Sequence, residues 1–113
     1  MSAHHAASGE IIDLRPYGDR LAQHNSVALV RDERIELMRL VMPAGKVLPE
    51  HLAYGPVTIQ CIEGAVEITA HGQAKTLRPG ELLYLAAEAP HSVRAIEDSS
   101  LLVTMVLDIS AAR

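Results

Sequence analysis

From Glu10 onward, short segments rich in Val, Ile, Leu and Thr recur at close intervals, each cut off by turn residues before it reaches helical length. This punctuation predicts an all-β sandwich or barrel, with helix signals almost absent. Ser26 to Arg31 and Arg34 to Met42 read as two strands joined at Asp32-Glu33, a hairpin, and Pro43-Ala44-Gly45 breaks the second. Val57 to Ile62 and Ala65 to Ala70 flank Glu63-Gly64, where a tight turn requires a positive φ. In the second of these, Val66, Ile68 and Ala70 alternate with Glu67 and Thr69 as in a half-buried strand. Further strands are expected over Gln73 to Leu77, Glu81 to Leu85, His91 to Ile96 and Leu101 to Asp108, with turns at His71-Gly72, Arg78-Pro79-Gly80 and Glu97-Asp98-Ser99.

One core is expected from 113 residues, and with no Phe or Trp it has to be aliphatic. Met1 to Gly9 has no apolar periodicity and reads as a flexible N-terminal arm, so a single domain over 10–113 is expected. Fourteen acidic against ten basic residues give a net charge of −4, without a dense basic cluster, which argues against a nucleic-acid partner. The apolar run near Leu101 to Leu107 is too short for a membrane span, so no membrane partner is expected. Cys61 stands alone and the first residues lack a secretory pattern, which suggests a soluble cytoplasmic protein.

Two segments carry the chemistry. Gly45-Lys46-Val47-Leu48-Pro49-Glu50-His51 sets a histidine six residues after a glycine, and Gly64 follows thirteen residues later. Pro79-Gly80-Glu81-Leu82-Leu83-Tyr84-Leu85 leads through Ala89-Pro90 to His91. In order and separation these resemble the two motifs of small single-domain cupins, the RmlC-like cupin superfamily, over roughly Leu37 to Leu107. The resemblance implies a cupin or jelly-roll fold, a double-stranded antiparallel β-barrel, and also a homodimer. In that family a His-x-His pair and an acid from the first motif join a second-motif histidine around a divalent metal. Carried over, the metal ligands are His51 and His91, for Fe, Mn, Ni or Zn. The second histidine position is Ala53, and the acid position, seven before Gly64, is Val57. Ala95 stands where the family often has an asparagine.

Protein-held divalent ions generally have three protein donors and an open position, or four donors. Here a third would come from Gln60, Tyr54, Glu50 or a bound ligand. Alternation sets Val57, Ile59 and Cys61 on one face and Thr58 and Gln60 on the other, unless a bulge intervenes. Three readings of the histidines stand open: a metal site, a metal-free pocket that hydrogen-bonds or protonates a polar small molecule, and two hydrogen-bonded histidines in a barrel without chemistry. The candidate ligand-binding residues are His51, Tyr54, Gln60 and His91; no catalytic residue is assigned. Tyr54 either reaches a ligand at the barrel mouth or covers apolar surface. Cys61 reads as a buried inert thiol, Tyr84 as packing, and His4 and His5 as solvated. Arg39 and Arg94 read as solvated outer-face residues unless they point inward to an anion. The function classes are an oxygenase, lyase or isomerase-type enzyme acting on a small molecule, a non-catalytic ligand-binding or sensor module, and an oligomeric interaction protein.

Overall fold

The computed structural model describes residues 4–107. Within them lie nine strands: β1 (Val27–Arg31), β2 (Ile35–Met42), β3 (Val47–His51), β4 (Val57–Glu63), β5 (Val66–Ala70), β6 (Gln73–Leu77), β7 (Leu82–Leu85), β8 (His91–Ala95) and β9 (Ser99–Val106). They form two antiparallel sheets, ordered β1-β2-β9-β4-β7 and β3-β8-β5-β6. Only β1–β2 and β5–β6 are hairpins between sequence neighbours; every other connection passes from one sheet to the other. That wrapping is the jelly roll expected from the sequence.

The strand segments fall where turn residues delimit them, with three differences. Val47–His51, expected as a motif without a strand, is β3. β9 begins at Ser99, inside the expected turn, and the expected strand end at Asp108 lies outside the described residues. A 3-10 helix spans Gly18–Gln23 in a stretch without strong apolar periodicity. Of the N-terminal arm, residues 1–3 lie outside the described residues, while the Ala6 N–H donates to the Leu29 carbonyl at 2.8 Å. No helix among the described residues is long and apolar enough to cross a membrane.

Alternation builds the core. On β4, Val57, Ile59 and Cys61 are almost fully buried between the sheets and meet Met42, Ile68, Leu85, Val93 and Leu101. Gly64, at φ +84°, does not close a hairpin: β4 and β5 belong to different sheets, and Gly64 is the corner between them. There the Ala65 N–H donates to Ser99 Oγ at 3.0 Å, and Ser99 itself is sealed from solvent.

Arg39 departs from the sequence reading. It does lie on the outer face, since its neighbours Leu40 and Met42 pack in the core, but it is not solvated: only 2% of it is exposed. The segment before β1 folds across that face and covers it. The Tyr17 ring lies 3.7 Å from the guanidinium carbon, and Nη2 donates to the Arg15 carbonyl (2.9 Å), Ser100 Oγ (3.2 Å) and Glu63 Oε2 (3.3 Å). The His24 ring stacks on Tyr17 at 3.6 Å and 6°. Two groups this close to one ring centroid must occupy its opposite faces, so Tyr17 is sandwiched between Arg39 and His24. Arg94 is half-exposed and meets Glu67 at 3.4 Å, as expected of an outer-face residue.

Candidate functional site

His51 faces the interior because β3 is bulged. Leu48 pairs with Val93 and His51 with His91, so two residues, Pro49 and Glu50, stand opposite the single Ser92. Proline has no N–H to give the ladder and is tolerated on edge strands and at bulges, and β3 is an edge strand. The extra residue reverses the parity of the strand. His51 therefore shares the face of Leu48, which packs on the core, instead of pointing away from it. His91 reaches the same place by plain alternation with buried Val93 and Ala95 on β8.

The two rings meet, with centroids 4.3 Å apart and planes inclined by 56°. His91 is 4% exposed, whereas His51 is exposed and forms the rim. His51 Nδ1 lies 2.9 Å from the Pro49 carbonyl and His91 Nδ1 lies 3.0 Å from the Ala89 carbonyl. A carbonyl oxygen only accepts, so in each ring Nδ1 carries the proton; in the neutral form Nε2 is then a bare lone pair directed away from the backbone. Leu40, Leu48, Ile59, Val93, Leu101 and Val103 complete a cavity of about 40 Å³ around the rings. The site is thus two nitrogen acceptors in an aliphatic setting.

The other candidates do not join them. Tyr54 is 77% exposed and lines no part of this cavity. Gln60 lies on the face opposite to Ile59, between Leu82 and Leu102, as alternation on β4 requires. Ala53 packs on the core and Val57 is buried in it, so the two remaining motif positions offer methyl groups. Among the described residues no group of three or more His, Cys, Asp or Glu is arranged to hold an ion. The donor set does not fit a resident divalent metal, which generally has at least three protein ligands. Burial pushes the Cys61 thiol above its ordinary range, so it is an inert core residue. The aliphatic walls went unread in the sequence; Pro49 within an otherwise β-like run is the signal that points to the bulge.

The family model for the cupin domain matches residues 38–107, more than half of the chain. The chain belongs to the cupin family. Solved structures agree on the fold of this cupin. A cupin superfamily protein from Desulfitobacterium hafniense superposes with a TM-score of 0.73 at 17% identity, covering 88% of this chain and all of the other. A DMSP lyase from Ruegeria pomeroyi gives 0.67 at 20% identity over 75% of this chain and 47% of the lyase. A salicylate 1,2-dioxygenase from Pseudaminobacter salicylatoxidans gives 0.69 at 18% identity over 77% of this chain and 27% of the dioxygenase. No curated protein sequence matches this cupin.

Proposed function

We propose that this cupin binds a small molecule with an aliphatic body and one polar end, holding the polar end on the imidazoles of His51 and His91 without a metal of its own. The observation that carries this is the placement of the pair: each Nδ1 lies within 3.0 Å of a carbonyl two residues back, an arrangement that favours the Nδ1–H tautomer and leaves two adjacent Nε2 acceptors at an aliphatic cavity. An acceptor pair of this kind, one nitrogen buried and one at the rim, gains most from a ligand that satisfies both while its body covers the partly exposed Leu40 and Leu48. A bare imidazole nitrogen also accepts a proton, which suits lyase or isomerase chemistry. The lyase among the structural neighbours shares the fold with this chain and supports that reading only at the level of the barrel.

The experiment uses protein carrying no histidine tag and a panel of one- to three-carbon alcohols, amides and acids, sized to the small cavity and its open His51 rim. Binding is followed through the methyl resonances of Ile59, Leu101 and Val103 and through thermal stabilisation. At least one member is expected to give saturable shifts at these methyls that vanish in His91→Leu, in protein whose Fe, Mn, Ni and Zn content is far below one ion per chain. No saturable shift from any member, undiminished binding in His91→Leu, or a stoichiometric ion lost on substitution of either histidine would overturn the proposal.

A further inference from the structure

Along one side of the molecule the two sheets part. β6 ends one sheet, β7 ends the other, and the described residues show no backbone pairing between them. The gap holds a cavity of about 170 Å³ floored by Ile68, Leu83 and Leu85. A mere seam in the core would be closed by aliphatic side chains from β6. The register shows otherwise. Ile68, buried in the core, pairs with Lys75, and Val66, equally buried, pairs with Leu77. Directly paired residues share a face, so Lys75 stands on the core-facing side of β6 with Leu77, and Gln73 follows by alternation.

A lysine and a glutamine on that side are not explained by packing. Both line the cavity, together with His71 and Tyr84. Lys75 has no carboxylate within ion-pair distance among the described residues. Glu81, farther along the groove, accepts the Arg78 N–H at 2.9 Å. The groove therefore offers one free ammonium beside an apolar floor.

We propose that this groove is a second binding site, for a small carboxylate carried on a short apolar body. The body covers Ala70 and Leu83, above the buried Ile68 and Leu85, and the carboxylate meets Lys75 at the rim. A single ammonium as the only Lys or Arg in the lining suits one negative charge better than a phosphate dianion. The groove shares no lining residue with the cavity at His51 and His91, so the two sites stand or fall separately.

Hexanoate is the probe, titrated into the full chain while methyl and amide resonances are followed. Saturable shifts are expected at Ile68, Leu83, Leu85 and Lys75. Hexan-1-ol and the Lys75→Ala variant should each bind about fivefold more weakly, the scale of one exposed ion pair. Lys75→Glu should abolish binding, and His91→Leu should leave it unchanged. Lys75 is exposed, so these variants retain the fold. Equal affinity for hexanol, undiminished binding in Lys75→Glu, shifts confined to Ile59 and Val103, or no saturable shift would overturn the proposal. Lys75 would then serve only as an inward charge that guards a free strand edge.

Discussion

Gly64→Ala is expected to cost about 4 kcal/mol, combining left-handed backbone strain with overpacking against groups that cannot move. At φ +84° a Cβ on residue 64 would run into the Asp98 carbonyl oxygen, Ser99 Oγ and the Ser99 Cα. Ser99 cannot swing aside, because its fully buried hydroxyl accepts the Ala65 N–H and lies 2.7 Å from the Glu97 carbonyl. In a domain of this size such a loss lowers Tm by about 20 °C. Gly72→Ala is the control: it has a similar φ of +73°, but nothing lies within 4 Å of the added carbon. That variant should lose only about 1 kcal/mol. Thermal and urea unfolding of the two variants measure the contrast; equal losses would mean that the close approach at the sheet corner is wrong.

Glu63→Ala is expected to be nearly as damaging, at about 3–5 kcal/mol, because it strands a buried guanidinium. The Glu63 carboxylate accepts from the Ser100 hydroxyl (2.6 Å), the amides of Tyr17 (2.9 Å) and Gly18 (3.0 Å), and Arg39. Arg39 Nε is already buried without a partner, so little else there can compensate the charge. The double variant Arg39→Met/Glu63→Ala should lose less than the sum of the single variants. The same carboxylate predicts an acid response. Burial works to raise its pKa, yet the Ser100 hydroxyl, the two amides and Arg39 outweigh it and hold the group below its ordinary 4.5. A depressed folded value means that this contribution is present above pH 4.5 and is lost as pH falls through the lower folded pKa. Glu63→Gln should lack that step in a stability–pH profile.

The parts of the fold legible in the sequence are those governed by local signals. Strand limits follow Gly, Pro and Asp residues, and strict alternation on β4 already sets Gln60 apart from Val57, Ile59 and Cys61. β3 was harder because Pro49 and Glu50 interrupt the pattern there, and the same interruption turns His51 inward. Gly64 was readable as a positive φ, but the strand that crowds it begins thirty-five residues later, at Ser99. The cover over Arg39 comes from Arg15 and Tyr17, more than twenty residues upstream and without periodicity, so an outer-face arginine gave no hint of its burial. His51 and His91 are legible as a pair from their motifs; their tautomer depends on the Pro49 and Ala89 carbonyls, which only the folded backbone brings to the rings.

The proposed site consists of two imidazoles that meet with their Nε2 lone pairs free. Long-range nitrogen–proton correlation on 15N-labelled protein with both imidazoles in their neutral form tests this most directly. Both His51 and His91 are expected as Nδ1–H tautomers with an unprotonated Nε2, and their ring protons should show mutual cross-relaxation at the observed 4.3 Å separation. An Nε2–H tautomer in either ring, or rings without cross-relaxation, would contradict it.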